Sequence, residues 1–384
     1  MIYLTPLTSL RFFAAGMVLL MHARSIFQFD FIDHQYIFGF AVSFFFILSG
    51  FILMHRYGSK GGFSFAPFMK ARFSRLWPAH LFWTLAVIWL IPVGNGVGIR
   101  VGEGVFGWWP TLGLNLSMLH AWSPFRAHSF SFNGPSWSIS TEMMLYCFFP
   151  LLFPGIRRNW PWKLALTLGL LILFTWIGSL LPVRGGAQDL QSTSFTYTFP
   201  LARAFEFCLG MTAWVAWDRV RDRIATGFAY RSLVELAGAS LFVAGIAASE
   251  FVAESMGIAA KVLAYLSLVA LLITLSSGGG ALSKALSFKP LVYLGEISFS
   301  LYLCHQVIMR YIVSEQAVGS PIWTGLAEIP LFIVVVCLAV GASALSFHLI
   351  EGPGRTLLTK LLSPRKGQAL SASFGAGSEA KKVH

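Results

Sequence analysis

Charge is scarce in this chain. Of 384 residues only 11% are Asp, Glu, Lys or Arg, less than half of the about 25% usual in a soluble domain. Acidic residues are the rarer kind, 16 against 28 basic ones. A globule that is 56% hydrophobic cannot cover its apolar surface without a charged shell. Composition therefore excludes a soluble enzyme and a disordered chain. Cysteine is also sparse. Cys147, Cys208, Cys304 and Cys337 all lie in apolar stretches, with no CxxC or Cys/His spacing. That excludes a disulfide-stapled secreted module and argues against a zinc site, so no metal is expected. No signal-peptide layout is found at the N-terminus: Arg11 and His22 interrupt the first apolar run and no small-x-small cleavage site follows, so this run is read as a mature helix. No internal repeat stands out, which weakens an inverted-repeat transporter.

What the chain does have is long apolar runs. It holds 36 Phe and 13 Trp, and its mean hydropathy is +0.69. Runs such as residues 164–181 are unbroken, unlike the short alternating segments of a membrane barrel. An all-α polytopic bundle is expected, because helices satisfy their own backbone in lipid. About 20 apolar residues make a span, and ten segments qualify: 8–27, 36–55, 77–93, 137–154, 164–182, 198–217, 233–249, 256–276, 290–312 and 326–349. An eleventh, 105–121, carries Trp108, Trp109, Pro110 and Asn115.

Loop charge decides its status. If 105–121 does not cross and the N-terminus is cytoplasmic, the inner loops and tail hold 20 Lys and Arg and the outer loops hold 3. If it crosses, Arg157 and Arg158 move outside and the bias decays. The reading is thus ten spans with both termini cytoplasmic, and 105–121 as an outer interfacial or re-entrant piece. The same bias accounts for the net charge of +12 without a nucleic-acid partner. Residues 1–352 are read as one membrane domain. Residues 353–384 are read as a cytoplasmic basic tail, disordered from about residue 367.

Ionisable groups inside spans are functional hypotheses by default. Arg11 and His22 are eleven residues apart. At about 100° per residue they share one face of a helix, with a rise of about 16 Å between them. Arg72 and Arg75 share a face at i, i+3, and two adjacent guanidiniums make a grip matched to phosphate. Ser138, Glu142 and Tyr146 follow at i, i+4 in the fourth span, with Glu142 read in the outer half at the depth of His22. Ser298, Tyr302 and His305 share a face of the ninth span. Arg203 and Glu206 at i, i+3 read best as an internal ion pair without chemistry.

Two layers emerge: an inner cationic one of Arg11, Arg72 and Arg75, and an outer proton-transferring one of His22, Glu142 and His305. An anion grip at one face and a base across the core suggest a group donor that enters from the cytoplasm. A neutral imidazole takes a proton from a hydroxyl near physiological pH, and the hydroxyl attacks a thioester either directly or in two steps. The rival class is a proton-coupled transporter or flippase of a glycan or lipid-linked precursor, with the same His and Glu as a proton relay. Acyl-CoA turnover separates the two.

The motifs that carry these residues resemble the acyltransferase-3 family of multi-pass membrane O-acyltransferases. They are Arg11-x10-His22, Phe44-Phe-Phe-Ile-Leu-Ser-Gly50-Phe, Arg72-x-x-Arg75-Leu-Trp-Pro, Ser136-Trp-Ser-Ile-Ser-Thr-Glu142, Arg203-x-x-Glu206-Phe, Gly295-x-Ile-Ser-Phe-Ser-x-Tyr-Leu-x-His305 and Glu351-x-Pro-x-Arg355. They run in order over nearly the whole chain. The resemblance implies about ten spans and transfer of a short acyl group, acetyl by default, from cytoplasmic acyl-CoA to a hydroxyl of a cell-surface or exported glycan. It implies a location in the bacterial inner membrane.

The resemblance also assigns essential roles to Arg11, Arg72 and Arg75, here read as binding the CoA phosphates, and a catalytic role to His22. Glu142 or His305 would orient His22, and Ser138, Ser298 and Tyr302 are candidate oxyanion donors. Two departures are Phe299, where many members have Tyr, and the absence of an added hydrolase-like domain after the spans. The second departure leads to the expectation that the chain acts alone or with a separate partner.

Overall fold

In the computed structural model, residues 4–29, 31, 35–59, 62–91, 104–183, 188–223, 227–253 and 257–363 are described. They form a bundle of helices: α1 (Thr5–Phe27), α2 (Gln35–Tyr57), α3 (Phe65–Leu90), α4 (Trp108–Leu116), α5 (Arg126–Ser129), α6 (Trp137–Leu152), α7 (Ile156–Ser179), α8 (Ala204–Val220), α9 (Phe228–Phe251), α10 (Ile258–Ser277), α11 (Ala281–Leu286), α12 (Lys289–Glu296), α13 (Ser298–Ala317), α14 (Glu328–Ser346) and α15 (Gly352–Leu361). Single tight or wide turns sit between several of them, among them Gly134–Ser136 before α6 and Phe347–Glu351 before α15. Among the described residues there is no strand, only an isolated bridge between Phe125 and Leu190.

The outward faces of the long helices are apolar. Leu166, Leu173 and Trp176 on α7, Leu233, Leu236 and Val243 on α9, and Ile329, Ile333 and Leu345 on α14 are all exposed. In water such a surface would be unstable; against lipid tails it costs nothing. Among the described residues six helices are long and apolar enough to cross a bilayer, and seven if α12 and α13, bent by 62° at Ile297, count as one. These seven coincide with expected spans 1, 2, 5, 7, 8, 9 and 10. The chain is an integral membrane protein.

The other three expected spans, at 77–93, 137–154 and 198–217, coincide with α3, α6 and α8, and each departs from a lipid-facing helix for a physical reason. α3 carries Lys70, Arg72, Arg75 and His80, with Arg72 and His80 buried. α6 has only 16 residues and α8 only 17. α8 is buried almost all round, including Glu206. Helices enclosed by other helices need not be apolar, because protein groups meet their polar side chains. Segment 105–121 is not one helix: α4 ends at Leu116, and a short turn, His120–Trp122, follows.

Close packing is built on small residues, as expected in lipid. α2 lies so near α8 that a Cβ on Gly50 would collide with the Phe207 carbonyl, and one on Gly210 with the Ile47 carbonyl. Gly295 of α12 likewise presses on the Thr8 carbonyl of α1, which seats the bend at Ile297 beside the start of α1. Pro6 lies in the first turn of α1, where its missing N–H is harmless. Gln28 closes the same helix in a left-handed conformation, its N–H donating to the Arg24 carbonyl.

The helical run continues through the Gly352-Pro353-Gly354 stretch. Pro353 falls in the first turn of α15, a position that tolerates it. α15 continues the helical run from α14 and packs against α3, so close that a Cβ on Gly354 would meet Pro78. The first ten residues past Glu351 are thus helical. The tail beyond residue 363 lies outside the described residues.

Candidate active site

A cavity of about 370 Å³ opens between α1, α2, α3, α6 and the α12–α13 bend. Arg11, Arg72 and Arg75 all line it, so the three residues of the inner layer do meet. Among the described residues none of the three makes an ion pair. Arg72 is 6% exposed and its Nε has no hydrogen-bond partner. Its guanidinium rests on aromatic faces instead, 5.7 Å from the Phe68 ring centre and 5.6 Å from that of Tyr146, a contact that holds a cation without neutralising it.

Glu142 lies in this same cavity, together with Ser138 and Tyr146. It accepts hydrogen bonds from Ser49 Oγ at 2.7 Å and from the Tyr146 hydroxyl, and it acts electrostatically on Arg11 and Arg75. This corrects the two-layer reading, which set Glu142 beside His22. The reason is where α6 begins. At 16 residues it is about 24 Å long, shorter than the about 30 Å hydrocarbon core. It starts from the buried turn Gly134–Ser136, inside the bundle, so counting residues from a membrane edge misplaces its carboxylate.

His22 and His305 do form a pair. His22 Nδ1 lies 2.8 Å from His305 Nε2, and the rings stack with centroids 5.0 Å apart. His305 is fully buried, and its Nδ1 lies 3.1 Å from the Leu301 carbonyl. A carbonyl only accepts, so Nδ1 of neutral His305 carries the proton and Nε2 presents a lone pair. His22 Nδ1 then donates to it, which leaves the lone pair of His22 on Nε2. This tautomer chain is assigned from the partners.

The pair does not line the cavity, yet one side chain separates them. Tyr302 lines the cavity, and its ring centre is 6.0 Å from that of His305. Ser138 Oγ donates to the Tyr302 hydroxyl at 2.8 Å, and both hydroxyls lie near the Pro135 carbonyl. Ser298 and Phe299 also line the cavity. Phe299 thus contributes a ring but no hydroxyl at the position of departure from the family pattern.

Sequence reading missed three features. Ser49 holds Glu142, and its place in the Phe44–Phe51 motif was the available signal. Glu351 lies behind the cavity, accepting from Ser300 Oγ at 2.9 Å and acting on Arg75 and Arg11. His80 on α3 and His120 in the turn after α4, both buried, stack at 5.7 Å, a contact made only by tertiary folding. Arg203 and Glu206 are paired at 3.0 Å and buried, with Phe46, Trp137 and Tyr197 around the guanidinium.

Comparison with known proteins identifies the family. A family model described as an acyltransferase domain matches residues 7–348. Acyltransferase MdmB of Streptomyces mycarofaciens is 28% identical, over 92% of each chain. The putative peptidoglycan O-acetyltransferase YrhL of Bacillus subtilis is 26% identical over 92% of this chain, which spans 55% of that protein. The peptidoglycan O-acetyltransferase OatA of Listeria monocytogenes is 25% identical over 82% of this chain, which spans 51% of it. The chain thus spans nearly all of the first relative but only about half of the other two. No solved structure matches. With 342 of its residues under the family model, the chain belongs to the acyltransferase-3 family and is an acyltransferase.

Proposed function

We propose that the protein moves a short acyl group, acetyl by default, from cytoplasmic acyl-CoA to a hydroxyl of a cell-surface or exported glycan. The observation that carries the donor half is the set of three guanidiniums in one cavity, without ion pairs among the described residues. Buried cations need a counter-charge, and the phosphates of CoA supply one with the geometry that arginine prefers. The acceptor half rests on the names of two relatives, both described as peptidoglycan O-acetyltransferases.

In this reading ten spans cross the bacterial inner membrane with both termini cytoplasmic, as loop charge requires. The cavity opens inward and its closed end points to the histidine pair. His22 Nε2 takes the acceptor's hydroxyl proton. The freed oxygen attacks the thioester carbonyl carbon, the new C–O bond replaces the C–S bond, and the departing thiolate takes the proton back from His22. His305 fixes the tautomer. Ser138 and Tyr302, which line the cavity, donate to the developing oxyanion in this reading by turning their hydroxyl protons away from each other and from the Pro135 carbonyl.

The test is His22→Ala, assayed for acyl-CoA consumption in membranes after its folding has been checked. General-base catalysis of this kind is worth roughly a thousandfold. A drop of that order supports the assignment, and undiminished turnover overturns it.

A further inference from the structure

The cavity's basic character continues beyond its mouth. Arg355, exposed on α15, lies within electrostatic reach of Arg72, Arg75 and Arg56. Arg56 is exposed at the end of α2, next to His55, which lines the cavity. Neither Arg56 nor Arg355 makes an ion pair among the described residues. The packing of Gly354 on Pro78 draws this end of α15 against the arginine-bearing stretch of α3. Five guanidiniums, at positions 11, 56, 72, 75 and 355, thus gather in and around one opening. Three carboxylates face them: Glu142 and Glu296 line the cavity and Glu351 lies behind it. This excess of positive charge is held together by helix packing, and like charges so gathered repel unless an anion joins them.

The cationic groups fall into two levels. Arg11, Arg72 and Arg75 are inside. Arg355 is one helical turn, about 6 Å along the axis, past Glu351, and Arg56 is two turns past the Glu142 partner Ser49, about 10 Å. A ligand with a single phosphate cluster would engage one level. A ligand with a diphosphate and a separate phosphate monoester would engage both, and CoA has that layout: its 3′-phosphate sits on the ribose, away from the diphosphate.

We propose that Arg56 and Arg355 form an outer subsite for the 3′-phosphate of the CoA ribose, while Arg11, Arg72 and Arg75 hold the diphosphate. This rests on the acyl-CoA reading above and deepens it, because it makes the protein selective for CoA over donors that carry only the phosphopantetheine part. The same two arginines would also suit the phosphate of an anionic lipid at the membrane surface, and the experiment separates the two sources.

Binding of CoA and of 3′-dephospho-CoA is measured by calorimetry on the whole protein in nanodiscs, with the KM of their acetyl thioesters as a second readout. The expected result is weaker binding of the dephospho compound by about ten- to hundredfold, the size of one or two charge-assisted contacts. Arg355→Gln combined with Arg56→Gln is expected to bring CoA down to the level of 3′-dephospho-CoA, so that the ratio of the two affinities collapses towards one. Equal binding of the two compounds by the unaltered protein overturns the subsite. So does a double variant that weakens both compounds alike, or a preference for CoA that vanishes only when anionic lipid is removed. Failure of the unaltered protein to bind either compound is a different result, and it overturns the acyl-CoA reading itself.

Discussion

Two sets of inward-facing arginine in this protein, Arg203 fully buried and Arg11, Arg72 and Arg75 buried or half-buried, are treated in opposite ways. Arg203 is packed against three aromatic rings, paired with Glu206 at 3.0 Å, and donates to Ser43 Oγ at 3.1 Å. Arg11, Arg72 and Arg75 stand in a cavity and make no ion pair among the described residues. The first arrangement has its counter-charge without a ligand, although Arg203 Nε lacks a hydrogen-bond partner just as Arg72 Nε does, and its work is to hold α8 against α2. The second is incomplete, and the cost of that incompleteness is tolerable only where an anion is a frequent visitor. Burial of a cation inside a membrane bundle is therefore not by itself a sign of function; burial without a partner is.

The comparison breaks most sharply if the two sets respond alike to mutation. Glu206→Gln should have the largest effect on stability. It leaves Arg203 buried and uncompensated, at a cost of about 3–5 kcal/mol, read as a lower unfolding midpoint in detergent. Replacing both partners together, Arg203→Met with Glu206→Leu, should cost less than Glu206→Gln alone, because no charge is then stranded.

In the cavity the effect should move from stability to affinity. Arg72→Ala or Arg75→Ala should raise the KM for the acyl donor about ten- to hundredfold. The unfolding midpoint should hold or rise, since a mutual repulsion is relieved. A fall in stability like that of the Glu206 variant would erase the distinction. Donor KM in the unaltered protein should also rise with ionic strength.

Smaller effects refine the picture at the histidine pair. His305→Ala should slow turnover about tenfold, the worth of one orienting hydrogen bond, and should move the acid limb of the rate–pH profile, because His22 loses its Nδ1–H acceptor. His305→Gln, whose amide oxygen can accept that proton, should restore part of the rate. A purely structural role would not move the profile. Ser49→Ala should be the mildest change, a few-fold in donor KM, since Glu142 keeps its Tyr146 partner.

Much of the fold was legible because a lipid-facing helix has to be long and apolar; the seven segments that meet this condition were readable as spans. α3, α6 and α8 satisfy it less well, because they are enclosed, and enclosure is a property of neighbours rather than of a segment. The same limit applies at the site. The helical period put Arg11 with His22, and Ser138 with Glu142 and Tyr146, on common faces, and these faces do point inward. Which faces meet was another matter. Glu142 was assigned to the histidines and belongs with the arginines, since the level at which α6 starts depends on the turn Gly134–Ser136 being buried.

Composition, loop charge and helical period by themselves determined a helical membrane protein with cations and histidines facing its interior, because each follows from local chemistry and one helix's geometry. Only the tertiary structure decided that Arg11, Arg72, Arg75 and Glu142 share a cavity, that His22 bonds His305, and that Tyr302 stands between the two groups. Those facts depend on the relative depth and rotation of separate helices. Small-residue contacts such as Gly50 on Phe207 and Gly295 on Thr8 set that geometry, and no single stretch of sequence encodes it.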